Sequence, residues 1–597
     1  MSCLFNSFDP YFKQPFGAVR AGQTVRLSLC IPEELGYVDP HLVLKKEGKF
    51  DVPVYYRMNF DGQTPRQNHF SVEVPLNDPG LYFYYFDLYT DFRRIVRGPD
   101  NCGVISWQDG ESWQITVYEQ DFETPESIKG KVFYQIFPDR FCEGVENKPM
   151  PFADRIYQAD KHAEPFWQPN EVGGHLNEDY FGGDLKGIQQ KLPYLHEMGV
   201  DFIYLNPIFE AHSNHRYNTA DYLNVDPLLG TNEDFEALCT AAQKYGIGIV
   251  LDGVFSHTGS DSRYFNREGR YGEGGAYRDP NSPYRCWYDF GPQYKGGYRS
   301  WWGFETLPEV DEETPSYVEF ITGPGGVIDT WLRRGAAGFR LDVADELPDE
   351  FIEKVRAAVK RVSPEKFLLG KGLDSVMNYP FKNAVLDFVK GKPAEQAMTE
   401  ILTICEHYPA PAMDTALNFL STHDTERALT VIADEPANGR GRAWQSGRCV
   451  TGDAYEEGLL RLRMAYAIIY TLPGVPCLYY GDEIAMQGYR DPFNRAFFRW
   501  DAHEQRLRPV LAQLAQLRHT CEAFRTGQLR VLRAEDGILH YQRVGKVETA
   551  EIIVNRTEHI IVETLASGKS TEVNPMGFTI VVEEVGHNPD HSYYDYV

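Results

Sequence analysis

The sequence lacks three features that would define its class at once: a membrane span, a signal peptide and a cysteine framework. No segment approaches the roughly 18 apolar residues of a membrane span, and no basic region followed by an apolar run opens the chain. Its 10 cysteines include no CxxC pair or regular spacing, so neither a zinc site nor a disulfide scaffold is predicted. We therefore expect free thiols, no membrane association and a cytoplasmic location.

Basic residues are also scarce. The chain has 59 Lys and Arg against 86 Asp and Glu, a net charge of −27. Binding of a phosphate backbone needs clustered basic side chains, so no nucleic-acid partner is predicted, whereas a neutral substrate suits such a surface. No GxGxxG segment follows a first strand, which disfavours a dinucleotide cofactor. Aromatic residues are plentiful instead, and their rings fill cores or stack on sugar faces.

At 597 residues the chain is too long for one domain, and its pattern changes along its length. Residues 1–122 contain short alternating runs between turn-forming residues, which predicts an N-terminal β-sandwich. Residues 123–504 alternate buried strands with amphipathic helices, which predicts an α/β fold, a (β/α)8 barrel of the TIM type. Within it, the Gly- and Tyr-rich stretch from about 256 to 315 is predicted to be an inserted loop subdomain. In residues 505–597 a helical segment is followed by short strand-like runs, which predicts a C-terminal β-domain.

Polar residues follow several predicted barrel strands. Catalytic side chains of such barrels lie at the C-terminal ends of the strands, which makes these residues the candidates. They are Asp252, His257, Arg340, Asp342, His423 and Asp424. Leu185–Met198, between two of the strands, has the spacing of one amphipathic helix.

Each candidate has a structural alternative when it is taken alone. Asp252 can cap the following helix, and a single His is more often a packed residue than a catalyst. Arg340 beside Asp342 can be an ion pair without a catalytic role. Their ordered recurrence at strand ends favours one common site. For the loop aromatics, a sugar groove and packing within the subdomain are equally open; these are Trp287, Tyr288, Trp301, Trp302 and Phe304.

Seven segments, in order, resemble the signature regions of the α-amylase family. They are FYQIFPDRF (133–141), YFGGDL (180–185), LDGVFSH (251–257), LPEVDEETP (307–315), GFRLDVADE (338–346), FLSTHDTER (419–427) and TLPGVPCLYYGDE (471–483). The LPEV segment and the β-rich N-terminal extension are similar to the neopullulanase, cyclomaltodextrinase and maltogenic-amylase branch. The resemblance covers nearly the whole chain and implies a barrel that handles α-linked glucose polymers.

The resemblance also implies roles for individual residues. Asp342 matches the nucleophile of a retaining glycosidase, and Arg340 is expected to keep its pKa low so that it stays ionised. Asp424 matches the family's third carboxylate, which holds substrate hydroxyls. The residues that match substrate contacts are His215, Tyr217, Asp252, His257, Arg340, His423, Asp491 and Arg495.

The family's general acid, a Glu that ends the fifth barrel strand, is not found. In KFLLGKGLDSVMNYP (366–380) the matching position is Lys371, and the next strand-like run follows almost at once. Adjacent parallel strands need a crossover of about a dozen residues, so we expect either one merged strand or a truncated fifth βα unit. Glu346, Glu309 and Asp311 are the nearest spare carboxylates, although Glu346 also suits an early-helix charge.

Three interpretations of function follow. The first is a retaining hydrolase or transglycosylase for α-1,4 and some α-1,6 links of maltooligosaccharides, cyclodextrins or pullulan, with activity impaired by the missing acid. The second is a maltooligosaccharide-binding protein with little or no turnover. The third is a gene product too damaged to fold fully.

No cofactor or tight metal site is predicted. Gly182 and Asp184 match part of a calcium-binding loop in some relatives, but the segment CEGVENKP (142–149) lacks the usual acidic pair. The resemblance further implies a homodimer formed through the N-terminal domain.

Overall fold

The computed structural model of the chain describes residues 3–48, 52–89, 92–146, 148–168, 177–370, 374–584 and, for the backbone alone, 592–596. The chain folds into two compact units. Unit 1 consists of Met1–Thr124, Lys392–Asp414 and Ala534–Asp536, and unit 2 of Pro125–Gly391, Thr415–Arg533 and Gly537–Val597. The domain boundaries at 122 and 504 stay predictions, whereas this division groups Lys392–Asp414 with the N-terminal strands.

The strands of the N-terminal region form two sheets around one core. They are β1 (Lys13–Gln14), β2 (Val19–Arg20), β3 (Gln23–Pro32), β4 (His41–Lys46), β5 (Val54–Arg57), β6 (Asn59–Thr64), β7 (Gln67–Leu76), β8 (Gly80–Asp87), β9 (Arg94–Arg97), β10 (Gly103–Ser106) and β11 (Trp113–Tyr118). One sheet has the order β1-β3-β7-β6, and the other has β10-β9-β8-β11-β2 with β4 and β5 beside β8. Alternate residues of both sheets point inward, such as Leu27, Val72, Tyr84 and Ile115. This is the sandwich that the alternating runs predicted.

The remaining strands belong to the barrel region and the C-terminal region. They are β12 (Phe133–Ile136), β13 (Ile156–Tyr157), β14 (Asp179–Tyr180), β15 (Phe202–Leu205), β16 (Phe209–Ala211), β17 (Thr219–Val225), β18 (Gly248–Gly253), β19 (Gly338–Leu341), β20 (Phe367–Leu369), β21 (Leu417–Phe419), β22 (Val475–Tyr479), β23 (Gln528–Glu535), β24 (Ile538–Val544), β25 (Glu548–Asn555), β26 (Ile561–Thr564), β27 (Ser570–Val573), β28 (Gly577–Glu584) and β29 (Ser592–Tyr596). The C-terminal strands form a five-stranded sheet, β23-β24-β25-β28-β29, and the pair β26-β27.

The α-helices lie mostly between barrel strands. They are α1 (Leu185–Gln190), α2 (Leu192–Glu197), α3 (Asn232–Gln243), α4 (Pro315–Thr322), α5 (Val327–Arg333), α6 (Asp349–Val362), α7 (Tyr379–Lys390), α8 (Ala394–His407), α9 (Ala410–Met413), α10 (Ala428–Ala433), α11 (Arg442–Gln445), α12 (Gly452–Thr471), α13 (Leu507–Thr520) and α14 (Ala523–Thr526). The helices α8 and α9 belong to unit 1. Within the described ranges, no helix has both the length and the apolar character needed to cross a lipid bilayer.

The helix predicted over Leu185–Met198 is two helices in the structure. The break falls at Lys191, whose ψ of 3° departs from helical geometry. Pro193 lies in the first turn of α2, where its missing N–H leaves no hydrogen bond unmade, and this explains why a new helix begins there.

Seven parallel strands of unit 2 form one sheet in the order β20-β19-β18-β15-β12-β22-β21. Every neighbouring pair along this order is parallel. All residues of β12 and β22 are buried, which is why these strands appear in the sequence as continuous apolar runs. The C-terminal ends of the strands therefore meet at one end of the sheet.

Residues 374–378, which follow β20 in the sequence, form one parallel β-bridge with each of β20 and β21 and so complete the sheet between them; we call them the closing segment. Leu369 forms a parallel bridge with Ser375, and Met377 forms another with Leu417 of β21. Residues 374–378 thus lie beside β20 and do not continue it, so the expectation of one merged strand is wrong. β20 itself has only three residues, and each of these bridges joins a single pair of residues. The alternative expectation, a truncated fifth unit, is what the described residues show: none of 370 or 374–378 is helical.

A buried carboxylate holds the closing segment in place. Asp374 is fully buried, and its two oxygens accept hydrogen bonds from Arg356 at 2.6 Å and Lys360 at 2.7 Å, both on α6. The amide of Leu368 in β20 donates to the same carboxylate at 3.1 Å. The closing segment, a barrel strand and the preceding helix are therefore joined through one side chain.

Candidate functional site

Polar side chains converge where β18 and β19 end. Asp252 and Arg340 are paired directly across these parallel strands, so their side chains point to the same face. Arg340 Nη1 donates to Asp252 Oδ1 and Oδ2 at 3.0 and 3.2 Å and to Asp342 Oδ1 at 2.8 Å. A single guanidinium thus ties together two carboxylates that the sequence brings to neighbouring strand ends.

Asp252 lies in the floor of the site and is almost completely buried. Besides Arg340, its Oδ2 accepts hydrogen bonds from the hydroxyls of Tyr204 at 2.6 Å and Tyr217 at 2.7 Å. The alternative role of helix cap is not what the described contacts show. Asp252 instead orients one cation and two phenols. Sequence reasoning missed Tyr204 because it lies inside an apolar strand, where a tyrosine usually serves as core.

A second hydrogen-bonded chain positions His423, just beyond β21. Gln135 Nε2 lies 2.8 Å from His423 Nδ1 and 3.1 Å from Asn206 Oδ1, while Asn206 Nδ2 donates to the Tyr217 hydroxyl at 2.9 Å. Because the Gln135 amide donates to Nδ1, the proton of a neutral His423 is on Nε2, 2.7 Å from the Tyr217 hydroxyl. The two rings are nearly parallel, with centroids 5.3 Å apart. Gln135 belongs to the FYQIFPDRF segment (133–141), so the sequence indicated its place in a strand but not its hydrogen bond to His423.

Asp424 lies at the open side of this group, with about half of its side chain exposed. Its Oδ2 is 3.1 Å from His423 Nε2, and its Oδ1 is 3.6 Å from Arg495. Arg495 in turn pairs with Asp491 at 2.9 Å. Burial raises the pKa of Asp424, but the neighbouring His423 and Arg495 outweigh it and the pKa ends below its ordinary value. Asp424 is therefore ionised at neutral pH.

The remaining two histidines flank Tyr217. His215 Nδ1 accepts a hydrogen bond from the Tyr217 amide at 3.0 Å, and His257 Nε2 lies 3.1 Å from the Tyr217 carbonyl oxygen. Burial lowers the pKa of His215 to about 3 and those of His257 and His423 to about 4. All three imidazoles are therefore neutral at pH 7, which suits hydrogen bonding to an uncharged sugar. All the residues predicted from the sequence thus lie in one connected group.

The aromatic residues of the long loop separate into two groups. Trp287 and Tyr288 are buried: Tyr288 packs against Phe265 of the loop, and Trp287 packs against Tyr264 of the loop and Phe320 of α4. Trp301 stacks on His257 with centroids 5.3 Å apart, and the exposed Trp302 is its neighbour. The indole N–H groups of Trp301 and Trp302 donate to the two oxygens of Glu346 at 2.8 and 3.0 Å. The exposed Phe304 lies next to Trp301. These three rings extend the site, while the first two are packing.

The pKa of Asp342 departs from the expectation. Arg340 was expected to keep it low, but burial raises it, and the charges of Asp252 and Asp424 add to that effect. Arg340 lowers the pKa without cancelling these contributions, and the result is about 7. Burial is the largest contribution, and the negative charge of Asp252, which binds the same guanidinium, opposes the stabilisation of the carboxylate by Arg340.

None of the three spare carboxylates is poised as an obvious proton donor. Glu309 pairs with Arg299 at 3.3 Å, Asp311 accepts from the Thr314 hydroxyl at 3.0 Å, and Glu346 holds the two tryptophans. Lys371, which occupies the position expected for the acid, lies outside the described residues.

The loop that matches a calcium-binding segment uses its carboxylate differently. Asp184 caps α1 by accepting the Gly187 amide at 2.6 Å, and it also accepts the amides of Gly144 and Val145. Lys148 pairs with it at 2.6 Å. A cation bound there would compete with an ammonium group and three N–H donors, so these residues do not fit one. Across the described part of the chain, no group of three or more His, Cys, Asp or Glu has a metal-binding arrangement; the cofactor prediction stays a prediction.

Comparison with known proteins places these residues in a recognised domain. A family model described as "Alpha amylase, catalytic domain" matches residues 135–366 and 353–526, which include every residue of the group above. An amylopullulanase from Thermoanaerobacter thermohydrosulfuricus is 33% identical, with 90% of this chain and 40% of that protein covered. Neopullulanase 2 from Thermoactinomyces vulgaris is 32% identical over 75% of this chain and 74% of its own length. The chain spans less than half the length of the amylopullulanases that it matches.

A solved structure has a similar fold. The ligand-free cyclic alpha-maltosyl-(1→6)-maltose hydrolase from Arthrobacter globiformis is 27% identical and superimposes with a TM-score of 0.66. The match covers 77% of this chain and 100% of that chain. The likeness therefore extends well beyond the barrel strands.

Proposed function

The chain belongs to the α-amylase family, and from that premise we propose that it is a retaining glycoside hydrolase or transglycosylase of α-linked glucans. Its proposed substrates are the α-1,4 and some α-1,6 links of maltooligosaccharides, cyclodextrins or pullulan, in line with the names of its cyclomaltodextrinase and neopullulanase relatives. The observation that carries the proposal is the linkage of Asp342, Arg340 and Asp252 at the ends of adjacent barrel strands. A position at these ends is where barrels of this type hold their catalytic groups.

The proposed first step is attack by Asp342 on the anomeric carbon. The bond between that carbon and the leaving group breaks, and a covalent glycosyl-enzyme forms that water or a second sugar then releases. Asp424, ionised and half exposed, is placed to accept hydrogen bonds from sugar hydroxyls. The single N–H of the neutral His423 faces the Tyr217 hydroxyl and that of the neutral His257 faces the Tyr217 carbonyl oxygen, so these two imidazoles position Tyr217 in the site. Arg340 fixes one oxygen of the nucleophile.

Departure of the leaving group is the proposed weak point. A glycosidic oxygen must be protonated as it leaves, and general acid catalysis typically contributes about 10²–10⁴-fold. The spare carboxylates Glu309, Asp311 and Glu346 are engaged with other side chains. Impaired activity on natural glycosides is therefore proposed. A leaving group such as fluoride needs no proton and avoids the defect.

The test compares two substrates with one enzyme. α-Glucosyl fluoride should be hydrolysed by the unaltered protein and not by Asp342→Asn, which keeps the shape of the side chain but removes its charge. Maltotriose should react at least about 100-fold more slowly than the fluoride, because its leaving group depends on the missing acid. Rapid hydrolysis of maltotriose would show that another acid has been recruited, and failure on both substrates would remove the enzymatic proposal.

A second candidate function is a maltooligosaccharide-binding protein without turnover. The exposed rings of Trp302 and Phe304 beside the site favour it, because aromatic rings bind sugar faces without any chemistry. Calorimetric binding of maltotriose without hydrolysis of the fluoride would select this candidate. Absence of a cooperative thermal transition would instead select the damaged gene product. The predicted homodimer stays a prediction that light scattering can check.

A further inference from the structure

Two cysteines of unit 1 lie unusually close together although the chain has no cysteine motif. The Sγ atoms of Cys3 and Cys102 are 2.8 Å apart, while the residues are 99 positions apart in the sequence. That separation is shorter than the contact of two non-bonded sulfur atoms and within about 0.8 Å of a disulfide bond length. Both side chains are partly exposed, so a small molecule can reach them.

The backbone on both sides of this pair is fixed by hydrogen bonds. Asn6 and Cys102 form an antiparallel bridge, and the Gly103 amide donates to the Phe5 carbonyl at 2.7 Å. The Phe5 ring is fully buried and packs edge-on against Trp113 with centroids 4.8 Å apart. The proximity of the two sulfurs is therefore built into the sandwich core and its edge, not left to a free chain end.

The turn that carries Cys102 is equally constrained. The Gly98 amide donates to the Cys102 carbonyl at 2.9 Å, and the Cys102 amide donates to Asp100 at 3.2 Å. Asn101, which precedes Cys102, has a φ of 65° and is almost completely buried, with its side chain bonded to Asn6 and Ser7. The loop cannot move Cys102 away without breaking these contacts.

We propose that Cys3 and Cys102 are a redox modification site, which forms an intramolecular disulfide on exposure to a small-molecule disulfide. One cysteine thiolate attacks the oxidant, for example oxidised glutathione, and expels one glutathione thiolate. The second cysteine loses its proton and attacks the mixed disulfide, which forms the Cys3–Cys102 bond and expels the second glutathione. The protein loses two electrons and two protons, and the oxidant gains them as two thiols.

Burial and the neighbouring Cys3 thiol raise the pKa of Cys102 to about 12, so its thiolate is rare at neutral pH. The first attack is therefore assigned to Cys3, and the second step relies on the short distance between the two sulfurs. The bond would fasten the segment that carries Phe5 to the loop before β10. It would close a loop of about 100 residues, for which the entropic restraint on the unfolded chain is large.

The test uses the full-length protein after complete reduction. The protein is incubated with oxidised glutathione, its remaining thiols are blocked with N-ethylmaleimide in denaturant, and it is digested with trypsin. Mass spectrometry should find the peptide of residues 1–13 joined to that of residues 98–129, and reduction should separate them. The oxidised protein should melt about 5 °C higher than the reduced protein, because the cross-link restrains the unfolded chain.

Matched variants decide the assignment. Cys3→Ser and Cys102→Ser should each abolish the linked peptide and the melting shift, whereas Cys286→Ser, at an exposed cysteine elsewhere, should leave both unchanged. The proposal fails if Cys286 is glutathionylated while Cys3 and Cys102 are recovered as N-ethylmaleimide adducts. A linkage of Cys3 to the nearby Cys30 would also overturn it.

Discussion

Asp342 is the residue in which the competing effects of the site are most visible. Burial and two nearby carboxylates raise its pKa to about 7, and Arg340, the cation that binds it, also binds Asp252. A nucleophile must be ionised to attack. The fraction of active protein therefore depends on pH over the physiological range.

The pH dependence of fluoride hydrolysis follows from this pKa. Below about pH 7 Asp342 is protonated and inert, and above it the carboxylate attacks, so kcat/KM for α-glucosyl fluoride should rise with pH and then level off. The value at pH 5 should be about 100-fold lower than at pH 8, since about 1% of the group is ionised two units below its pKa. Initial rates measured from pH 5 to pH 9 check this.

The shape of the pH profile of kcat/KM shows whether a general acid takes part in the reaction. Fluoride departs without a proton, so no decline is expected on the alkaline side, in contrast to the bell-shaped profile of an enzyme with an acid–base pair. A profile that is flat from pH 5 to pH 9, or that falls as pH rises, would contradict the assignment of Asp342. Asp342→Asn supplies the baseline.

At the scale of elements, the segment 374–378 decides whether the barrel sheet closes. No described residue between β20 and this segment is helical, and one isolated β-bridge joins it to each neighbouring strand, together with backbone hydrogen bonds such as that from the Asp374 amide to the Leu368 carbonyl oxygen. Asp374 compensates by binding Arg356 and Lys360 of α6 and the amide of Leu368. A single buried carboxylate thus takes over part of the anchoring that a complete βα unit would give.

Replacement of Asp374 by Asn should therefore destabilise the protein. The change removes the buried charge that binds Arg356 and Lys360 and replaces one acceptor oxygen by an NH2 donor, at a cost of about 2–3 kcal/mol, because both cations still reach solvent. Urea unfolding followed by circular dichroism measures the difference. Glu353→Gln, at an exposed carboxylate on the same helix, is the matched control and should change the free energy of unfolding by less than about 0.5 kcal/mol. Equal stability of the two variants would rule out the anchoring role.

At the scale of the whole molecule, the chain leaves the barrel after α7 and returns to unit 1 as α8 and α9. The return is fixed by a buried ion pair inside unit 1, between Lys13 and Glu406 at 2.6 Å, with Ser7 bound to the other carboxylate oxygen at 2.9 Å. The side chains of Lys13 and Glu406 are 0% and 3% exposed, so water does not solvate either charge.

Glu406→Gln should lower the stability of unit 1 by about 3–5 kcal/mol, because it leaves the Lys13 ammonium buried without a counter-charge. Hydrogen exchange measured by mass spectrometry over β3 and β11 reports on this unit directly. The double variant Lys13→Met with Glu406→Leu should recover most of the loss, since no charge then remains buried. Glu395→Gln, on the exposed face of α8, should have no effect. If Glu406→Gln leaves the hydrogen exchange of β3 and β11 unchanged, the ion pair does not stabilise unit 1.

The sequence predicted a large part of this molecule because local patterns carry it. The sandwich strands follow from alternation with a period of two residues, and the barrel strands from apolar runs buried on both faces. The family and the (β/α)8 fold are confirmed, and Asp252, Arg340, Asp342 and His423 do lie together because parallel strands end at the same edge. Tyr204 and Gln135 escaped notice because a polar group inside a strand has no local sign of its partner.

By itself, the sequence determined the order of strands and helices, the family and the residues at the strand ends, since each depends on periodicity or on short segments of fixed spacing. Tertiary structure alone decided the pKa of Asp342, the closing strand at 374–378, the tryptophan contacts of Glu346 and the 2.8 Å approach of Cys3 to Cys102. The physical reason is the same in each case. Burial and electrostatic interaction depend on distances between groups that are remote along the chain, and no local pattern encodes those distances.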